Sequence, residues 1–493
     1  ATMAWLQQSK SPANPFYSGS IKGECVLMLT PLHFIYLAVI VVVIVLMIMK
    51  HDVVAPCILG IFLIGTAFSG GVIGGAQAVF NSMLYAMGDL GDIMLVIALM
   101  VAMLKSLEAM GADQMMIAPA AKLLKTPRVA FWVIAIIMYV CASFFWPTPA
   151  TALVGTILIP VALKAGLAPM MACIAMNLSG HGMALSGDLV LQGAPKLSAT
   201  AANVDITEVL KWGGILATIA GVIALVLAFI KYQKEIVSGV QLDADHAVAK
   251  AAAAMDQKVE RPGYAKFFAI LVPVVYIAIL IRILAGAFSE SVPAIFGGDA
   301  TALLGGSAAI ILLLACAVHH KQSALEELAG CIRAGFLFSI KIFAVVIPIA
   351  AFFFLGNPEA APAILGEGAP GFLFELGQAL GDVLPMNRVV LAIGIALIGG
   401  ITGLDGSGFS GVPLVAALAA ALGGPAGYNV ALLAALGQVS AIWVGGGTLS
   451  AWAFGAVASA GVAGVEPADL VRKNFVPVMT ALGVITLITV VLM

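Results

Sequence analysis

Apolar runs of about the length that a bilayer requires recur along the whole chain. A helix needs about 20 apolar residues to cross the hydrocarbon core, and eight runs come close to that length: residues 31–49, 54–76, 91–111, 212–230, 266–287, 299–318, 335–356 and 475–493. Of the 493 residues, 62% are hydrophobic and 10% are charged, whereas soluble domains carry roughly 25% charged residues. The chain is therefore predicted to be an all-α polytopic membrane protein. It has no basic excess that would indicate nucleic acid.

Two long regions that lie between the predicted spans are related to each other by an internal repeat. These parts, residues 129–200 and 389–460, are apolar but are interrupted by Pro, Gly, Ser and Thr, so neither fits a single helix. Segments at corresponding positions match with an offset of 260 or 261 residues: Thr126–Val129 with Met386–Val389, Asn177–Ser179 with Gln438–Ser440, and Val204–Lys211 with Val465–Arg472. The matches predict two homologous halves.

Each half is predicted to contain three scaffold spans, a re-entrant hairpin tipped by Pro or Gly, a broken transmembrane helix and a last span. The predicted boundaries are a polar segment 1–27; a first repeat 28–231 with scaffold spans in 31–111, hairpin 128–165, broken helix 167–200 and last span 209–231; a linker 232–265; and a second repeat 266–493 with scaffold spans in 266–356, hairpin 388–423, broken helix 425–460 and last span 467–493. The first segment lacks the order of a signal peptide. It is excluded from the fold, as a cloning remnant or a start placed too early. The linker is interpreted as a cytoplasmic helix.

The distribution of Lys and Arg predicts how the halves lie in the membrane. With a re-entrant hairpin, each half crosses five times, and an odd number inverts the second half relative to the first. One side then collects most of the positive charge, and the other keeps little: the first side has Lys50, Lys122, Lys125, Arg128, Lys164, the basic residues of 231–266, Lys321, Arg333, Arg472 and Lys473, and the second has Lys196, Lys211, Arg282 and Arg388. The positive-inside rule therefore predicts a bacterial cytoplasmic (inner) membrane protein with both termini outside the cytoplasm.

Helix breaks at matched positions of two repeats are the best sequence indication of a transport site, because backbone groups freed at membrane depth need partners. Four breaks are predicted: the hairpin tips at 146–151 and 405–411, and breaks within helices at 177–188 and 438–448. The substrate site is expected to contain Thr148, Pro149, Thr151, Asn177, Ser179, His181, Ser407, Gly408, Ser410, Gln438 and Ser440. The residues expected to hold Na+ are Thr148, Asn177, Ser186, Asp188, Asp405, Ser407, Gly447 and Thr448.

Several of these residues also have a purely structural interpretation. Hydroxyl groups at the tips can cap helices, buried amides can join neighbouring helices, and His181 suits a structural role as well as proton transfer or substrate contact. Lone acids at membrane depth are costly, so Asp188 and Asp405 are the stronger indications of cation or proton coupling. Asp89 precedes a predicted span and is expected in a loop or a cap.

The arrangement of spans, hairpins and breaks resembles the ion transporter superfamily. That superfamily includes divalent-anion/sodium symporters, citrate and gluconate carriers, and the large membrane subunit of TRAP transporters. The resemblance covers nearly the whole chain from residue 30. The hairpin tips read Pro-Thr-Pro-Ala-Thr and Ser-Gly-Phe-Ser-Gly, where those families often carry a Ser-Asn-Thr signature. The resemblance to this superfamily implies a homodimer, a scaffold formed by the early spans, and an elevator-type transporter in which the hairpin-bearing part moves.

Two functions are consistent with these features. The first is symport of a small organic anion, such as a carboxylate, with Na+ or H+, in which amides, hydroxyls and His181 recognise the anion. The second is Na+/H+ antiport through Asp405, Asp188 or His181. The sequence contains no metal-ligand cluster, nucleophile elbow or phosphate loop. A membrane-embedded enzyme is therefore not expected, nor is any cofactor besides the coupling ion.

Overall fold

The computed structural model describes residues 29–49, 51–237, 262–288, 298–383, 387–406 and 408–493. The regular structure in this part of the chain is helical: α1 (Pro31–Ile48), α2 (Val54–Ser69), α3 (Val72–Ala109), α4 (Ala112–Ala121), α5 (Pro127–Phe145), α6 (Pro147–Lys164), α7 (Pro169–Asn177), α8 (Leu185–Gly187), α9 (Gly193–Ala202), α10 (Ile206–Lys231), α11 (Gln233–Val237), α12 (Ala265–Phe288), α13 (Gly298–His320), α14 (Ala324–Phe354), α15 (Ala360–Leu365), α16 (Phe372–Val383), α17 (Arg388–Thr402), α18 (Val412–Gly423), α19 (Val430–Trp443), α20 (Phe454–Ala463) and α21 (Pro467–Leu492). The predicted segment 1–27 and most of the predicted linker lie outside the described residues.

Seven helical stretches among the described residues are long and apolar enough to cross a membrane: Val72–Ala109, Pro127–Phe145, Pro147–Lys164, Ile206–Lys231, Thr301–Lys341, Val430–Thr448 and Pro467–Leu492. Their outer faces carry large apolar side chains, such as Phe80, Ile136 and Leu487, each with more than half of its surface exposed. Apolar patches on this scale are rare on proteins that face water. These outer faces are therefore expected to contact lipid.

Helix boundaries in the two halves recur at the offset that relates the sequence repeats. Helices α9 and α20 begin and end 261 residues apart, and so do α10 and α21. Helices α5 and α17 begin 261 residues apart, and so do α7 and α19. The non-helical segments 188–192 and 449–453, which precede α9 and α20, also correspond. Several helix boundaries therefore follow the same offset of 261 residues as the matching sequence segments.

The equivalent last helices of the two halves run in opposite directions. Tyr232, which directly follows α10, donates a hydrogen bond from its hydroxyl to the carbonyl of Lys473 near the start of α21, at 2.8 Å. Lys473 also forms an ion pair of 2.7 Å with Glu235. Since α10 and α21 pack against each other, the end of one lies beside the beginning of the other.

The early helices, which the sequence analysis predicted to form the scaffold, have boundaries that differ from the prediction in two places. Helix α2 ends at Ser69, short of the predicted position 76, because Gly70 adopts a left-handed conformation with φ of 73°. Helix α3 then runs without interruption through Gly88 and Asp89, so the prediction of a loop or cap at Asp89 is wrong. One glycine costs a helix only about 1 kcal/mol, which a buried 38-residue helix tolerates.

Candidate functional site

The hairpin tips meet inside the buried part of the fold. Trp146 lies between the end of α5 and the start of α6, and its φ of 67° lets the chain reverse direction there. The Trp146 ring lies 5.4 Å from the ring of Phe409 in the tip between α17 and α18. Both side chains are nearly completely buried, at 2% and 1% exposure. Phe343 of the scaffold helix α14 contacts the same Phe409 ring, with 6.5 Å between centroids, so the scaffold reaches the tips as well.

The first break lies further along the chain than the sequence predicted. From Leu178 to Ala184 the helix widens into a π turn instead of unwinding, and the chain leaves helical structure only at residues 188–192. The glycines of the π turn allow close packing: a Cβ at Gly180 would overlap Met138, and one at Gly182 would lie 2.8 Å from the ring of Trp443. We refer to residues 178–192 as the first break.

Asp188 supports the helix that follows the first break. Its φ of 38° is left-handed, and its buried Oδ2 accepts a hydrogen bond of 2.9 Å from the amide of Ala194. The carboxylate thereby lies at the N-terminus of α9, where unpaired amides and the helix dipole favour a negative charge. The geometry thus gives Asp188 a structural role, and its predicted role in binding Na+ stays a prediction.

The second break spans residues 444–453. The chain forms a π turn over Val444–Thr448 and leaves it at Gly447, whose φ of 106° suits glycine. The tip of the second hairpin lies directly against this break, since a Cβ at Gly408 would lie 2.9 Å from the amide nitrogen of Gly446. The hydroxyl of Thr448 donates to the carbonyl of Trp443 across the π turn.

A chain of buried polar groups links the two halves at the second break. Asn474 donates through Nδ2 to the Oδ1 of Asn177 at 2.9 Å and to the carbonyl of Thr448 at 3.2 Å. Asn177 donates through Nδ2 to the Ser459 hydroxyl at 3.4 Å. The same hydroxyl lies 3.5 Å from His181 Nδ1. We refer to Asn177, Ser459 and Asn474 as the second amide cluster.

An equivalent group of hydrogen bonds closes the first break. Gln438 accepts a bond of 2.7 Å from the Ser198 hydroxyl and donates one of 2.8 Å to the carbonyl of Ser186. We refer to Gln438 and Ser198 as the first amide cluster. Gln438 follows Asn177 by 261 residues, and Ser459 follows Ser198 by 261 residues. Each half therefore contributes an amide that bonds the serine of the other half.

The structure accounts for the other predicted site residues individually. The hydroxyls of Thr151, Ser179 and Ser186 donate to carbonyls of their own helices, at 2.8, 2.7 and 3.4 Å. Thr148 and Pro149 are half-buried on the first turn of α6, and Ser410 is buried. Ser440 is buried with its hydroxyl unpaired among the described residues. Ser407 and the side chain of Asp405 lie outside the described residues.

The fold brings several polar residues to this region that were not predicted from the sequence. Asn474 and Ser459 lie in the second amide cluster, and Ser198 lies in the first. The pairing of Ser198 with Ser459 at the repeat offset could have identified those two. Asn474 had no such signal, because the residue 261 positions earlier is Gly213.

A second polar region lies between the hairpin-bearing part and the scaffold. An open cavity of about 410 Å³ has both polar and apolar lining residues: Tyr85, Asp89, Lys196, Ala199, Thr200, Asn203, Val204, Ile206, Asn357 and Glu359. Beside it, Lys196 of α9 forms an ion pair of 2.8 Å with Asp92 of the scaffold helix α3. Asn357 donates to the carbonyl of Thr200 at 2.8 Å.

Comparison with known proteins places the chain in a family. The uncharacterized membrane protein YhfA of Bacillus subtilis (strain 168) is 38% identical over 471 residues, which cover 94% of this chain and 98% of the relative. The fold is similar to that of the Alcanivorax borkumensis YdaH transporter, with a TM-score of 0.50 and 16% identity over 85% of this chain and 88% of that chain. No family model matches the chain, and the predicted ion transporter superfamily stays a prediction. This chain is therefore an all-helical polytopic membrane protein that belongs to the same family as YhfA.

Proposed function

We propose that the protein is a secondary active transporter. It carries a small organic anion, such as a carboxylate, across the bacterial cytoplasmic membrane in symport with Na+ or H+. One observation carries this proposal: both hairpin tips and both helix breaks meet inside the buried part of the fold. Interrupted helices at membrane depth present free amides and carbonyls, which is how secondary transporters hold substrates and coupling ions. The fold similarity to the YdaH transporter is consistent with this function.

The two halves are proposed to be inverted repeats. Helix boundaries that recur at the offset of 261 support the repeat, and the opposite directions of α10 and α21 support the inversion. The two amide clusters are a third support, because each joins an amide of one half to a serine of the other. Inversion predicts both termini outside the cytoplasm, on the side opposite the Lys- and Arg-rich loops.

An elevator motion is proposed for the part that contains the hairpins and the breaks. Helix α9 packs against α10, α18 and α19 within this part, whereas polar contacts such as Lys196–Asp92 join it to the scaffold. The cavity of about 410 Å³ lies along the same boundary. The boundary also includes the apolar contact of Phe343 with Phe409, and it can separate at lower cost where it has polar contacts and open space than where it is tightly packed. The expected homodimer would hold the scaffold still.

Uptake into proteoliposomes tests the function. We expect at least one member of a panel of small carboxylates to accumulate, and a Na+ or proton gradient to increase its rate. The same carboxylate should raise the unfolding temperature of the purified protein, by an amount that grows with Na+ concentration if Na+ is the coupling ion. A protein that exchanges Na+ for H+ without any solute would contradict symport and favour the antiporter.

A further inference from the structure

The first amide cluster is complete without a ligand. Both polar atoms of the Gln438 amide are bonded, Oε1 by the Ser198 hydroxyl and Nε2 to the Ser186 carbonyl. The side chains of Gln438 and Ser198 are completely buried. Gly213 leaves room for the amide, since a Cβ there would lie 3.3 Å from Nε2 of Gln438. Each polar side-chain atom of this cluster therefore has a hydrogen-bond partner, and the bonds join the two halves.

The second amide cluster leaves one acceptor unpaired. Asn474 occupies the position equivalent to Gly213 and is completely buried. Its Nδ2 faces two acceptors, Asn177 Oδ1 and the Thr448 carbonyl, so the orientation of the amide is fixed by the hydrogen bonds. Its Oδ1 then has no partner among the described residues. A buried, unpaired amide oxygen is costly, and a bound molecule would remove that cost.

The other end of the polar chain leaves a donor unpaired. Ser459 Oγ accepts a bond from Asn177, so its own hydrogen is available to His181 Nδ1, 3.5 Å away. The imidazole then carries its hydrogen on Nε2. That Nε2 is completely buried and has no partner in the described part of the chain. The equivalent residue of the second half is Ile442, so the first amide cluster has no such donor.

Further unpaired groups lie on the second break itself. The indole Nε1 of Trp443, in the turn before the break, and the hydroxyl of Ser450 within it are buried and unbonded among the described residues. These two groups and His181 Nε2 can each donate a hydrogen bond, whereas Asn474 Oδ1 can only accept one. Three unpaired donors at or beside the second break favour a ligand rich in acceptor oxygens, such as a carboxylate.

We propose that the two breaks have different roles: the acidic group of the solute binds at the second break, against the second amide cluster, and the first amide cluster is structural. This inference rests on the proposed function and names the place and the chemistry of its site. The repeat would suggest two equivalent sites. At corresponding positions the halves differ: Asn474 of the second half corresponds to Gly213 of the first, and His181 of the first half corresponds to Ile442 of the second. These differences restrict binding to one of the two sites.

A pair of matched serine variants tests the location. Ser459→Ala and Ser198→Ala remove hydroxyls that are equivalent in the repeat and completely buried. Affinity for a transported carboxylate is measured by thermal stabilisation or calorimetry on the purified variants. Ser459→Ala should weaken binding about tenfold, the effect of losing one neutral hydrogen bond, whereas Ser198→Ala should leave affinity within twofold. Equal losses in both variants, or no loss in Ser459→Ala, would overturn the inference.

A second measurement does not depend on a known solute. Ser450→Cys and Ser186→Cys place a thiol at the second and the first break, and a small anionic methanethiosulfonate probes them in membranes, with the parent chain as background. Ser450→Cys should be modified at least tenfold faster than Ser186→Cys. Equal rates would overturn the inference even if no solute is found. If no carboxylate binds the parent chain while the rates differ as expected, the proposed function fails and the location stands as a hydrated site.

Discussion

Gly455 lies at a tight contact between the halves, and Gly455→Ala should therefore destabilise the protein. A Cβ at this position would lie 2.5 Å from Cδ2 and 2.6 Å from Cγ of the His181 ring, and would also overlap the carbonyl oxygen of Gly446. Carbon atoms pack at about 3.5 Å, so the ring or the second break has to move by about 1 Å. Overpacking of this kind costs about 1–3 kcal/mol.

Gly461→Ala is the matched control, because Gly461 lies on the same helix α20 with nothing within 4 Å of an added Cβ. Replacing an exposed helical glycine by alanine gains up to about 1 kcal/mol. Unfolding of the two purified variants in detergent should thus shift in opposite directions from the parent protein. If Gly455→Ala unfolds at or above the temperature of the parent protein, the packing of His181 against the second break is wrong.

Substitutions also test three other features of the fold. Gln438→Ala should cost about 2–4 kcal/mol of stability, measured by unfolding in detergent, because it removes two hydrogen bonds and leaves a buried carbonyl unpaired. Charge reversal of Lys196 should slow uptake, because it breaks the ion pair with Asp92. Reversing the charge of Asp92 in the same variant should restore uptake. Charge reversal of the exposed Lys211 is the control and should have little effect. Asp205→Ala should cost about 0.5–2 kcal/mol at pH 7, because Asp205 caps α10. Hydrogen bonds from Thr207 lower the pKa of Asp205 below 3.8, so its stabilisation is present above pH 4 and should be lost as the pH falls below that value.

The all-helical membrane fold and several helix boundaries could be predicted from the sequence, whereas the repeat stays a prediction. Proline and asparagine mark helix starts in both halves, at Pro127 and Asn387, and the apolar runs fix the helices between them. The offset read from short matching segments recurs in the ends of α9 and α20. Such features are local, since they depend on residues next to each other in the chain.

The residues around the breaks were harder to predict, because their roles depend on contacts between distant segments. Glycines at 180 and 182 indicated unwinding, but they serve close packing against Met138 and Trp443. Asp188 was interpreted as a cation ligand, which stays a prediction, and the bond between its carboxylate and the amide of Ala194 at the N-terminus of α9 was not expected. Asn474 lies in an apolar helix, and nothing nearby in the sequence indicates its bond to Asn177, 297 residues away.

A density map of the protein in a lipid bilayer, with a transported carboxylate and Na+ bound, would show directly where the solute binds. We expect density for the carboxylate group at residues 444–453, within hydrogen-bonding distance of groups such as His181 Nε2 and the Ser450 hydroxyl. Density confined to the cavity beside Lys196, with the second break empty and its polar atoms still unpaired, would contradict this expectation.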